Sequence, residues 1–326
     1  TELVSGAPRV SGAAPAGSRS GSGNAHLRTR IAAAVEITRP FSFSASLLPV
    51  TIAGALAWAQ GKVQLVPWLV ALVAALTVHA ATNVVNEVYD VRHGIDSITS
   101  PRASHAIVKG GISERGALRL AYTLFAATIM LGVYLVAVRG PGMLLLGLLG
   151  VLAGYFYTAP PFQYKYRAMG IPLVFLLMGV LMTVGGYFAA TGTFDWRVVV
   201  FSVPAGLLVA AILHGNEWRD IAEDTRLGFS TYSGRAGRTA AYRVYAGLVI
   251  GAYLALALGV MSGILPTLTL LAMLSLPAGW LLLRSAERGY IGSLGEINMI
   301  DLHTARPHAT FGVLLILGIV LTRSIP

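Results

Sequence analysis

The chain has 326 residues, 55% of them hydrophobic, only 12% charged, and a formal charge of +10 at pH 7. A charged fraction about half that of soluble domains, with a mean hydropathy of +0.70, excludes an ordinary water-soluble fold, because one core cannot bury so much hydrocarbon. The absence of cysteine excludes disulfides, thiolate metal sites and cysteine nucleophiles, and the basic excess reads as loops beside anionic lipid rather than as nucleic-acid binding.

Residues 1–30 are rich in Ser, Gly, Ala and Pro, too polar to offset their ordering entropy, and are expected to form a disordered tail. They contain no apolar run before a small-residue cleavage site, so no cleaved signal peptide is expected. The remainder, 31–326, reads as one transmembrane domain. Its apolar segments are 42–60, 65–90, 116–138, 141–158, 170–191, 197–216, 239–260, 263–284 and 307–323. Each is about long enough to cross ~30 Å of hydrocarbon at ~1.5 Å per residue, which predicts an all-α polytopic membrane protein of nine spans. Glycines such as Gly147, Gly150, Gly154, Gly179, Gly185 and Gly186 allow helices to approach closely.

The basic residues orient this map. Of the 24 Lys and Arg, all but Lys62, Arg139, Arg197 and Arg323 fall in the tail and in every second loop, so the N-terminus is expected in the cytoplasm and the C-terminus outside.

Seven of the 14 acidic residues lie in two short segments, Glu87, Asp90, Asp96 and Glu217, Asp220, Glu223, Asp224. Both segments end apolar helices on the cytoplasmic side, where the helix dipole favours cations, and acids in such places mark function. Asn83, Asn86 and Asp90 are related by i, i+3, i+7, as are Glu217, Asp220 and Asp224, so each set shares a helical face. Asp96 follows Gly94 and can turn back toward the first set, whereas Glu223 lies beside its face and pairs more naturally with Arg219 or Arg226. Facing carboxylates with an Asn carbonyl offer hard oxygen ligands suited to Mg²⁺ and a phosphate-bearing substrate. An allylic diphosphate fits: its charge is neutralised by metal and basic side chains, and its carbocation needs a dry pocket with π faces. Tyr155, Tyr157, Phe162, Tyr164 and Tyr166 are candidates to line one, although the same residues suit an interfacial aromatic belt.

At these residues the sequence resembles the UbiA superfamily of intramembrane prenyltransferases. Asn86-Glu87-x-x-Asp90 with Gly94-x-Asp96, and Asn216-x-x-Arg219-Asp220-x-x-x-Asp224-x-x-x-Gly228, are similar to the paired motifs of the branch that prenylates 1,4-dihydroxy-2-naphthoate for menaquinone. Tyr155-x-Tyr157-Thr158-Ala159-Pro160-Pro161 with Lys165 and Arg167, and Thr304-Ala305 with His308, Phe311 and Gly312, look like it too. The resemblance implies a Mg²⁺-dependent polyprenyl transfer from the diphosphate to a small aromatic acceptor, in a nine-helix bundle of the inner (cell) membrane with its site near the cytoplasmic face. It implies metal ligands at Asn86, Asp90, Asp96, Asn216, Asp220 and Asp224. Diphosphate contacts follow at Arg102, Lys109, Lys165 and Arg219. Candidates to polarise the acceptor hydroxyl are Asn83, Tyr157 and His214. The sequence departs from the pattern at Glu87 (Asp in the family), at His105-Ala106 (Arg-Pro), at Phe229 and Ser230 (a basic residue) and at Ile171 (an acid). Another phenolic or quinolone acceptor, a UbiA-type cyclase and a cation transporter are the competing readings, and oligomeric state is left open.

Overall fold

The computed structural model describes residues 19–95, 104–229, 231–292 and 294–324, and among them every regular element is helical. Helix α1 covers Arg19–Ile37. The disordered tail expected through residue 30 is therefore corrected from Arg19 onward. The run of Ala32, Ala33 and Ala34 favours a helix, and Ala33 and Ile37 anchor it by packing with Val84, Val85, Val88 and Ala117. Residues 1–18 lie outside the described residues.

Arg39 in the left-handed region (φ 54°), followed by Pro40, which has no N–H to donate, ends this run. The chain bends by 55° into α2, Ser44–Ala59. Helix α3 is Leu65–Arg92, α4 Glu114–Arg139 and α5 Pro141–Phe156. Helix α6 spans Gly170–Thr191 and widens to a π-helix over Phe175–Leu181. Helix α7 is Arg197–Arg219, the short α8 Ile221–Arg226 and α9 Tyr232–Met261, with a break at Gly237 (φ 79°). Helix α10 spans Thr267–Ile291, its first nine residues wound as a 3₁₀-helix, and α11 is Ile300–Ser324.

Seven of these helices are long and apolar enough to cross a membrane, or eight if the bent pair of α1 and α2 forms one span. Nine spans were expected. The difference is α5, which has 16 residues and so measures only ~24 Å. At 28 residues, α3 has the opposite character: at ~42 Å it exceeds the hydrocarbon thickness, and its last turns carry the first acidic set.

Helix α7 is the centre of the bundle. Two thirds (67%) of its apolar stretch is buried, against 22% for α4. Its small residues Ala205 and Ala211, with Phe201 and Leu208, pack in one cluster with Ile52, Tyr245, Leu256 and Phe311. At Gly179 a Cβ would fall 2.6 Å from the Cα of Gly206, so α6 and α7 touch backbone to backbone there, as small residues permit between membrane helices. The second acidic set is thus fixed at the end of the most firmly held helix.

Candidate active site

A cavity of about 760 Å³ lies between these helices. Helix α3 lines it with Ala75, Val78, His79, Thr82, Asn83 and Asn86, and α7 with Val209, Leu213, Asn216, Glu217 and Asp220. Both series recur every three or four residues, so each is one face of its helix. Since the polar members come last on both helices, one end of the cavity is polar. The rest is apolar, including Ile129 and Val133 of α4 and Leu144 and Leu148 of α5. These four side chains are each more than half exposed, so the cavity opens sideways on the flank that α4 and α5 present to lipid.

At the polar end Lys165 reaches in from the turn Tyr164–Arg167. Its Nζ donates to Asp90 Oδ1 and Oδ2 at 2.6 and 2.7 Å and to Asn86 Oδ1 at 3.0 Å, and the Tyr166 hydroxyl donates to Asp90 Oδ1 at 2.8 Å. The oxygens of Asn86 and Asp90 therefore converge on one cationic point, and Asp90, with no exposed surface, is compensated as a buried carboxylate must be. Opposite, Arg219 grips Asp220 through two N–H donors, Nε to Oδ1 at 2.7 Å and Nη2 to Oδ2 at 3.1 Å, the fork geometry peculiar to guanidinium. Its Nη1 lies 3.1 Å from Asp301 Oδ2 of α11. Asp224, on α8, also faces the cavity. The donor set is oxygen only, carboxylates and carboxamides, which is the chemistry of a hard divalent cation. Among the described residues no three Asp, Glu or His side chains are gathered closely enough to enclose one.

The expected residues divide as follows. Asn83, Asn86, Tyr157, Lys165, Asn216, Arg219, Asp220 and Asp224 all line the cavity, with Asp90 directly beneath Lys165. Asn83 is fixed by donating from Nδ2 to Thr38 O at 2.9 Å and Ser42 Oγ at 3.2 Å. Asp96, Arg102 and Ser230 fall outside the described residues. Two expectations are corrected. His214 points away from the cavity into the contact with α9, fully buried, its Nε2 2.7 Å from Ala241 O and its Nδ1 3.4 Å from Ser233 Oγ. One residue along a helix turns a side chain by ~100°, and that step separates it from Leu213. Lys109 is exposed in the turn after His105 and does not line the cavity, because the turn is pinned beneath it by Ile107 N donating to Glu87 Oε1 at 3.4 Å. That bond, with Arg39 Nη2 at 3.7 Å, gives Glu87 a structural task. Of the five aromatic candidates only Tyr157 lines the cavity. Tyr166 is buried against Asp90, and Phe162 stacks on Tyr164 at the surface.

Sequence reasoning missed three cavity residues. Asp301 is a lone acid at the head of an apolar helix, a pattern that signals function in membranes; its partner Arg219 is 82 positions away, which hides the pairing. Arg39 and His79 also face in. His79 shares its Nδ1 with Ser46 Oγ at 2.7 Å, and a single histidine within an apolar run gives no local sign of such a contact.

Against known proteins, the profile of the UbiA prenyltransferase family matches residues 47–291. The chain is 31% identical to the 1,4-dihydroxy-2-naphthoate octaprenyltransferase of Bacillus subtilis, over 88% of this chain and 92% of that one. Among solved structures it superposes on a UbiA homologue from Aeropyrum pernix at a TM-score of 0.64, with 20% identity, over 85% of this chain and 97% of the other. A second, a UbiA homologue from Archaeoglobus fulgidus bound to GPP and Mg²⁺, gives 0.56 at 15% identity, over 87% and 99%.

Proposed function

The chain belongs to the UbiA prenyltransferase family and is a polyprenyl transferase embedded in a membrane, and from that premise we propose that it moves a polyprenyl chain from its diphosphate onto 1,4-dihydroxy-2-naphthoate, in menaquinone biosynthesis. The observation that carries the reading is the cavity's polarity: oxygen ligands and cations at one end, and an apolar flank open to lipid at the other. The similarity to the octaprenyltransferase of Bacillus subtilis supports the choice of acceptor. We further propose nine spans, with α5 tilted little in a locally thinned bilayer, in the cell membrane with the N-terminus cytoplasmic.

Asn86, Asp90, Asn216, Asp220 and Asp224, with Asp96, would hold Mg²⁺; the donor chemistry fits, and Lys165 marks the point on which two of them converge. Bound there, the metal supplies positive charge for the diphosphate. Lys165 and Arg219, with Arg102, add N–H donors where the departing oxygens gather charge. The allylic C–O bond breaks and diphosphate leaves with the electron pair. The ring carbon bearing the carboxylate then bonds to the allylic carbon, and the carboxylate departs as CO₂, returning its electron pair to the ring. Asn83 and Tyr157 polarise the neighbouring ring hydroxyl, while the apolar walls keep water from the cation.

The test is a single assay with purified protein, a long polyprenyl diphosphate and carboxyl-labelled dihydroxynaphthoate. Labelled CO₂ is expected in step with prenylated product, and none in EDTA. Retention of the label in the product, or transfer to 4-hydroxybenzoate with none to the naphthoate, overturns the acceptor. Full turnover in EDTA overturns the metal site.

A further inference from the structure

Glu217 is the one cavity-lining acid of the two segments that the reading above leaves without a task. It lies on the cavity face of α7, 4% exposed; the backbone N–H groups of Tyr232 and Ser233, at the start of α9, face its carboxylate, but neither oxygen has a partner at full hydrogen-bond geometry and no side chain pairs with it. The Tyr157 hydroxyl lines the same cavity and is also buried without a partner. The two are neighbours: a point at the Cβ position of Gly170 lies 2.7 Å from Glu217 Oε1 and 3.8 Å from the Tyr157 hydroxyl oxygen, so both oxygens come close to this glycine at the edge of the cavity. A buried carboxylate left unpaired is costly, and an ionised one can only accept hydrogen bonds. What completes it must therefore bring a donor. The cations that line the cavity are committed elsewhere, Lys165 to Asp90 and Asn86, Arg219 to Asp220 and Asp301, and Arg39 to Glu87.

Position narrows the donor. Glu217 stands between Asn216 and Asp220 on the cavity face of α7, beside the charged end at which the diphosphate is held. That is the level at which a carbon just released from a diphosphate oxygen must meet its acceptor. We propose that Glu217 and Tyr157 form the subsite that holds the acceptor's ring hydroxyl. The hydroxyl donates to Glu217, and Tyr157 donates to the hydroxyl oxygen. This inference rests on the prenyl-transfer reading and adds to it a rule of selection: the acceptor must carry a free hydroxyl beside the carbon that is alkylated, because an ether there leaves the carboxylate buried and unanswered.

The experiment uses the full chain in lipid nanodiscs, wild type and Glu217→Gln. It measures acceptor and diphosphate KM, kcat, Mn²⁺ affinity by electron paramagnetic resonance, and transfer to the acceptor and to its hydroxyl methyl ether. A hydrogen bond to a charged group corresponds to about tenfold or more in affinity. Glu217→Gln should therefore raise the acceptor KM about tenfold and narrow the preference for the free hydroxyl over the ether, leaving Mn²⁺ affinity and diphosphate KM within about twofold. Tyr157→Phe, which loses one hydroxyl and keeps the ring, should raise the acceptor KM in the same way and serves if the first variant does not fold. Unchanged acceptor KM in the folded variants, or a loss of Mn²⁺ affinity that parallels the loss of turnover, overturns the subsite. Failure of the wild type to prenylate any hydroxyarene is a different result, and overturns the functional reading itself.

Discussion

Lys165 and Arg219 each compensate a carboxylate that burial would otherwise penalise, and that division of labour sets the expected behaviour of single substitutions. Asp90→Asn and Asp220→Asn each remove an anion from the charged end and from its cationic partner, and turnover should fall by about a thousandfold or more while membrane insertion is kept; radiolabelled prenyl transfer in membranes of matched protein content checks this. Asn83→Ala should lower turnover less, because it removes one polar group rather than a charge. His214→Phe should act on stability alone: the ring's contacts to Ala241 and Ser233 are lost, a cost of about 1–3 kcal/mol for stranded buried groups, seen as a lower melting temperature with kcat per folded molecule unchanged. Glu223→Gln should be mild in both respects, since Glu223 does not line the cavity. Asp90, Asp220 and Asp224 were legible in the sequence because acids are rare in this chain and their spacing keeps helical phase. His214 was misread because proximity along the chain says nothing of rotational phase about α7, and Asp301 was missed because its meaning resides in a residue on another helix.

Apolar run length located the long helices after α1, yet it could not reveal how they meet. The backbone contact of Gly179 with Gly206 is a relation between two helices, and each glycine alone is one of 37. Gly179→Leu should force α6 and α7 apart, with overpacking costing about 1–3 kcal/mol or more; a thermal melt in detergent should shift down, and Gly185→Leu, at a position with open space around it, should shift it far less. The π-helical turn at Phe175–Leu181 was equally hidden, since one extra residue per turn leaves the hydropathy profile unchanged. The bend before α2 was not anticipated: Pro40 permits a break there, but nothing local sets its angle of 55°.

For the whole molecule, the distribution of Lys and Arg predicts sidedness that burial does not address. A reporter inserted near Gly228 should label from the cytoplasm and one fused after Pro326 from outside; a cytoplasmic C-terminus would mean that the spans are even in number, with α5, the shortest, failing to cross. The sideways opening of the cavity past Val133 and Leu144 has a kinetic corollary. A substrate that arrives from within the bilayer is counted per lipid, not per volume of buffer. Adding inert phospholipid to the vesicles at constant total diphosphate should slow the reaction by surface dilution, whereas doubling the aqueous volume around the same vesicles, with soluble acceptor and Mg²⁺ held at fixed concentration, should leave the rate per enzyme as it was.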